Sequence, residues 1–437
     1  MKKRLLLGTT ALATAALVSG AANAQIEMRL GGFMTQWFGY GDNDSQYNLQ
    51  QVDQWSNSEV FFLGRGVTDN GLVFGVNIQL EGNTSGDTID ESFMFVSSDR
   101  FGTIQLGSEN SAGYLMQVAA PAVALPVNSG SQTQHIANPT GSSVFRNPFG
   151  STFIEPAGDN DGQKVTYFTP RLFGPEEGQG FQLGFSYLPD IDPTGGDRNG
   201  LISDQANYMN GWSVGLNYEG AFSGVEFIVS GGYFYAEAPD QFNFNTCGST
   251  VSCAGADGTT LVDLDEDFQG YSLGATMSYG GFTLGGSYAE VLDGRLTPGQ
   301  TTTGGGAGTV GASTLTTLIN PATNTAYTSA GIRTTESQGW DVGIAYEQGP
   351  WSVSFTYYDG ESDGLITVPG EDQYTAYMGG ARYNLGSSIA LVGNVGFVEF
   401  ESESTGLVIA PGNPGAGTTV DLDNEGVLVT GGVAISF

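Results

Sequence analysis

Leu72-Val73-Phe74-Gly75-Val76-Asn77-Ile78-Gln79-Leu80-Glu81 decides the fold class. Leu72, Phe74, Val76, Ile78 and Leu80 form one series, and Val73, Gly75, Asn77, Gln79 and Glu81 the other. An extended chain points successive side chains to opposite sides, so this segment is a strand with one greasy face and one mostly polar face. The same alternation returns at 181–187, 212–219, 271–279, 282–288, 340–347, 351–358 and 427–437. Phe234 falls on a face that should be polar, a lapse that shows the pattern to be imperfect.

Two-faced strands build soluble sandwiches as well as membrane barrels. Three features favour the barrel. Aromatics crowd the ends of the apolar faces: Trp212 with Tyr218, Tyr271 with Tyr279, Trp340 with Tyr346, Trp351 with Tyr357. Such girdles mark the two water–lipid boundaries. The opposite face carries Gly, Ser, Thr, Asn, Asp and Glu, which suits a wetted lumen. Connections alternate between tight turns, such as Asp69-Asn70-Gly71 and Tyr279-Gly280-Gly281, and long polar excursions such as 290–337. The expectation is an all-β, 16-stranded antiparallel transmembrane β-barrel. Strong strands are expected near 71–81, 180–188, 211–219, 267–279, 281–289, 339–347, 350–358 and 426–437. Fainter ones are expected near 26–39, 58–67, 89–98, 102–108, 163–170, 224–236, 374–383 and 388–400. Closure into a cylinder follows because lipid cannot satisfy a bare strand edge.

The N-terminus reads as a bacterial export signal. Met1-Lys2-Lys3-Arg4 is basic, Leu5 to Val18 is apolar, and Ala22-Asn23-Ala24 offers a cleavage site. Residues 1–24 are therefore expected to be removed, leaving 25–437 as one barrel domain. The chain carries 13 basic against 46 acidic residues, a formal charge of −33. Binding to nucleic acid through a basic face is excluded on that balance. Cys247 and Cys253, the two cysteines of the chain, are expected to form a local disulfide in an exported protein.

Several stretches resemble the general (non-specific) porin family of Gram-negative outer membranes. Asp69-Asn70-Gly71-Leu72-Val73-Phe74-Gly75 resembles its first periplasmic turn and third strand. Phe101-Gly102-Thr103-Ile104-Gln105-Leu106-Gly107-Ser108 resembles the strand before its constriction loop, and Lys164-Val165-Thr166-Tyr167-Phe168-Thr169-Pro170 the strand after it. The terminal Phe437, with Val429, Val433 and Ile435 on its face, resembles the family's membrane-assembly signal. The resemblance implies a sixteen-stranded barrel, usually a homotrimer, with its third loop folded into the pore. It further implies an outer-membrane location among lipid and lipopolysaccharide.

The expected function is passive diffusion of ions and small hydrophilic solutes through a water-filled channel. The segment 109–162 is far longer than a hairpin needs and is apolar in places, so it is expected to pack on the inner wall and narrow the lumen. By parity Arg29, Arg65, Lys164 and Arg382 can point inward. Glu81, Glu109, Asp159, Asp161 and Asp341 are the acidic candidates at the lumen or loop base. Tyr114, His135 and Arg146 are the candidates on the constriction loop itself, whose middle lacks carboxylates. A mild preference for cations is expected from the overall charge. No cofactor is expected, beyond calcium held weakly by acidic runs such as Asp263-Leu264-Asp265-Glu266-Asp267 or Asp159-Asn160-Asp161. Three rivals remain: a substrate-specific channel with an aromatic track including Tyr114 and Tyr358, a structural or adhesive barrel, and an enzyme. The last would have to use His135, the single histidine, and no Gly-x-Ser-x-Gly elbow is present.

Overall fold

The computed structural model describes residues 26–44, 51–82, 89–155, 162–176, 178–190, 208–238, 267–293, 297–298, 318–320, 325–327, 332–364, 370–403, 405–409 and 417–437. The leader, Cys247, Cys253, Asp159, Asp161 and residues 263–266 lie outside them. So does the end of the expected constriction loop.

Sixteen staves form one closed antiparallel sheet. They are β1 (Glu27–Gly41), β2 (Val52–Val67), β3 (Val73–Glu81), β4 (Ile89–Ser98), β5 (Gly102–Ser108), β6 (Gln163–Phe168), β7 (Gly180–Asp190) and β8 (Met209–Phe222). There follow β9 (Val225–Glu237), β10 (Phe268–Tyr279), β11 (Phe282–Asp293), β12 (Ser337–Gln348), β13 (Trp351–Ser362), β14 (Asp372–Asn384), β15 (Ile389–Glu401) and β16 (Asn424–Ser436). Each stave pairs with its sequence neighbours, and each coincides with an expected strand. Leu172–Phe173 adds a short ladder to β7. Among the described residues no helix is long and apolar enough to cross a membrane.

The barrel closes between β1 and β16, from Phe33 opposite Ser436 to Gly41 opposite Leu428. Phe437 finishes the seam. Its N–H donates to the Gly32 carbonyl and its carbonyl accepts from Gly32 N–H, both at 3.0 Å. Its ring fills the space that a Cβ on Gly32 would need, 2.9 Å away. Deleting Phe437 removes both bonds, a loss of about 1–3 kcal/mol at the closing edge. The folded, heat-modifiable fraction on a cold detergent gel should fall accordingly.

Register fixes the two faces. Val76, Ile78, Val342, Ile344, Val353 and Phe355 look outward and are exposed, as lipid-facing side chains of an isolated barrel must be. Aromatic pairs sit at both ends of this outer face. Phe282 with Tyr346 and Trp351 with Tyr383 lie near the tight turns; Trp340 with Tyr357 and Trp212 with Tyr233 lie near the long loops. The inner face is less uniform than alternation predicts. Met378, Val392, Val398, Phe400 and Leu428 point inward and join Leu125, Val127, Ile136 and Phe149 in a buried cluster. Phe234 is inward too, fully buried with Ile154 and Leu188. The lapse in the pattern is thus a contact with the segment after β5.

Candidate functional site

Residues 109–155 leave β5 and hydrogen-bond to inward-facing side chains of the wall. Apart from one α-helical turn, α1 (Ala112–Leu115), and one 3-10 turn at Ser131–Gln134, the chain is irregular, and irregular backbone must find partners outside itself. Ala112 N–H donates to Ser186 Oγ on β7 at 2.8 Å, and Gly113 N–H to Ser213 Oγ on β8 at 2.9 Å. Val118 N–H donates to Ser230 on β9 at 3.0 Å. Ala120 N–H reaches both oxygens of Asp341 on β12 at 3.2 Å, and Val123 N–H reaches Ser354 on β13 at 3.2 Å. Leu125 N–H donates to Asn394 on β15 at 2.9 Å. Farther on, Ala137 N–H donates to Asn43, and its carbonyl accepts from Asn424. The chain therefore visits the staves in order, from β7 round to β16 and β1.

Wall glycines make room for it. A Cβ on Gly274 would stand 1.8 Å from the Val118 carbonyl oxygen, and one on Gly285 2.9 Å from that of Ala119. On the return path, a Cβ on Gly339 would stand 2.0 Å from the Pro148 oxygen, and one on Gly360 2.3 Å from that of Phe149. Tyr358 donates its hydroxyl to Pro148 O at 2.5 Å and is fully buried. It belongs to the anchor of the segment, and its place on an exposed aromatic track is corrected on that ground.

Asp341 is the hub. It accepts from Ala120 N–H, from Asn128 Nδ2 at 2.7 Å and from Ser287 Oγ at 2.7 Å, and it is 3% exposed. A candidate acid by sequence, it is covered by the segment and holds it instead of lining open lumen. Lys164, also inward, is 4% exposed and donates to the carbonyl of buried Glu109 at the segment's root. Asn110 accepts from Arg146, whose guanidinium lies 4.4 Å from the Tyr114 ring centroid and 3.6 Å from the carboxylate of Glu155. Glu155 is wholly buried and accepts from Ser111 N–H at 2.9 Å. Burial pushes its carboxyl above the usual carboxylate range, against the pull of Lys164 and Arg146. Of the expected constriction residues, Arg146 and Tyr114 thus brace the two ends of the segment against each other.

The remaining candidates lie apart. Arg65, opposite Gly75, and Arg382, opposite Ser352, face inward toward the tight-turn end of their strands. Arg29 lies beyond the β1–β16 seam and pairs with Glu27 at 2.9 Å, a rim position. Glu81 faces Glu59 across β2 and β3. Alternation missed Arg171: it precedes the short Leu172–Phe173 ladder, yet pairs with Glu219 and donates to Asn217 at 2.9 Å.

His135 closes the outer bend of the segment. Its ring lies 4.1 Å from that of Trp55, which stacks on Trp37, and it occupies the space beside Gly39. Desolvation lowers its pKa below the ordinary 6.5, opposed by Asp53. A lowered value favours neutral imidazole in the docked state. Docking is therefore at full strength above pH 6.5 and weakens as the pH falls through the lowered value. Tryptophan fluorescence should shift with a midpoint below 6.5, and the shift should vanish in His135→Gln.

Comparison with known proteins agrees with this geometry. The family model described as Gram-negative porin matches residues 8–403. An uncharacterized protein of Rickettsia bellii is 24% identical over 357 residues, covering 68% of this chain and 79% of its own. Among solved structures, an anion-selective porin from Comamonas acidovorans is similar in fold, with a TM-score of 0.53 at 16% identity, over 94% of this chain and 100% of its own. The trimer form of OmpT, an outer membrane protein of Vibrio cholerae, gives 0.52 at 13% identity, over 95% and 100%. With its closed sixteen-stave barrel and a family match across most of its length, the chain belongs to the Gram-negative porins of the outer membrane.

Proposed function

We propose that this outer-membrane porin passes ions and small hydrophilic solutes by passive diffusion, without catalysis, through a lumen narrowed by residues 109–155. The observation that carries the reading is the sequence of hydrogen bonds from that segment to inward side chains on successive staves. Beside the segment so held, the inward Glu59 and Arg65 of β2 and Glu81 of β3 are only partly buried.

Selectivity follows from which charges stay exposed. Lys164 is buried and Arg65, Arg146 and Arg382 are spread apart, while the partly buried carboxylates of Glu59, Glu81 and Asp90 gather within 4.8 Å of one another. Low-dielectric walls focus the field of such a group, so cations are favoured. In a tenfold potassium chloride gradient the reversal potential should carry the sign of cation preference; the opposite sign refutes the selectivity.

A homotrimer fits the outer surface. The aromatic pairs of the outer face sit on β7 to β14. On β1, β2 and β4 the outward positions include Gln36, Gln54, Ser56, Ser58 and Ser92. Polar side chains suit a contact between copies better than they suit lipid. Conductance increments grouped in threes are the expected signature.

A further inference from the structure

The apolar residues on both faces of β1, β2 and β4 sort cleanly once register is known. Trp37 and Trp55 face inward, stacked at 5.7 Å, and the two-residue period sets Phe33 and Phe61 on the same side. Those two rings lie 6.1 Å apart. Across the next pair, Phe93 stands opposite inward Asn77 and Phe95 opposite Gly75. The Phe95 ring would come within 2.8 Å of a Cβ on Gly75, so it lies over that glycine on the inner wall. Phe62, Met94 and Val96 are their exposed, outward neighbours. All four phenylalanines are partly exposed, and none belongs to the buried clusters beneath the segment. A pore wall that needed only to be wetted would not hold apolar rings in water, where each costs free energy until something covers it.

Carboxylates adjoin the strip. Glu59 stands directly opposite Phe33, and Glu81 opposite Glu59. A bulge between Ile78 and Leu80 sets Asp90 and Glu91 together across from Gln79. The carboxylates of Glu59, Glu81 and Asp90 come within 4.8 Å of one another. Ring faces carry negative quadrupole density, so rings and carboxylates together complement a positive charge on an apolar body. Building on the channel reading above, we propose that the strip formed by Phe33, Phe61, Phe93 and Phe95 is a binding track for organic cations. Amines and quaternary ammonium ions with an aromatic or aliphatic body would rest on the rings while Glu59 and Glu81 hold the charge.

Single-channel recording of the full protein in planar bilayers tests this, with benzyltrimethylammonium as the probe. Saturable current block is expected, weaker for tetramethylammonium and absent for benzenesulfonate. Phe61→Leu and Phe93→Leu keep the bulk but remove the ring face. Each should weaken block by about threefold, the size of one exposed cation–aromatic contact. Glu59→Gln with Glu81→Gln should weaken it further, whereas Phe62→Leu, on the outer face, should leave it unchanged. Equal block by all three probes, or block that survives the inner-face substitutions, overturns the track while ionic conductance persists. Absence of any conductance in the wild-type protein overturns the channel reading and the track with it.

Discussion

Asp341→Ala should release the segment 109–155 from the wall without dissolving the barrel. The carboxylate accepts from Ala120 N–H, Asn128 Nδ2 and Ser287 Oγ in a site with 3% exposure. Losing it takes the acceptor of Ala120 N–H, at about 1–3 kcal/mol if that group stays dry, and leaves Asn128 Nδ2 and Ser287 Oγ bonded to Thr152 Oγ1. The backbone ladder of β12 does not involve the side chain, so the staves keep their pairing. The relief is movement: Ala120 and Asn128 leave the wall and hydrate. Larger, noisier single-channel conductance is expected, with new protease cleavage inside 109–155 and unchanged heat-modifiable mobility. Asp341→Asn, which retains one acceptor oxygen, should fall between the two. Conductance indistinguishable from wild type in Asp341→Ala would show that the hub holds nothing.

Gly274→Ala should have a comparable effect by crowding. The new methyl would meet the Val118 carbonyl oxygen, a backbone atom that cannot swing aside as a side chain would. Gly339→Ala meets the Pro148 carbonyl in the same way. Overpacking of this kind costs about 1–3 kcal/mol, and the two sites lie on the outgoing and returning limbs of the segment, so their effects should add. Gly431 is the control. It lies on β16 with nothing within 4 Å of its absent Cβ, so Gly431→Ala should leave conductance as it is. A double variant at 274 and 339 with wild-type conductance and protease resistance would contradict the packed arrangement.

Much of this was legible in the sequence because strand periodicity is a local property. Residues 72–81 announce their faces by themselves, and the order of such segments gives the stave count. What periodicity cannot show is which inward residues a distant segment covers. Parity allowed Lys164 and Asp341 to point inward, yet it could not show that Glu109 and Ala120 meet them from elsewhere in the chain. Tyr358, which a substrate-specific channel could have used in an aromatic track, is hidden from alternation for the same reason: its polar tip finds Pro148. The glycines at 274, 339 and 360 look like the small members of a polar face until the path of 112–149 gives them a purpose. The inner strip of β1, β2 and β4 was hidden for a different reason. In Phe61-Phe62 and Phe93-Met94-Phe95-Val96 both faces are apolar, so alternation alone cannot say which ring faces water; only register with Asn77 and Gln79 decides it.

A disulfide between Ala120→Cys and Gly343→Cys interrogates the arrangement itself. The Cβ positions of the two residues are 3.1 Å apart, close enough to bridge with a small adjustment. If residues 109–155 lie along the inner wall and leave a passage beside it, the bridge forms in the folded protein under mild oxidation. Ionic current then persists in steps of wild-type size. Failure of the two thiols to join, or a channel that shuts when they do, would contradict it.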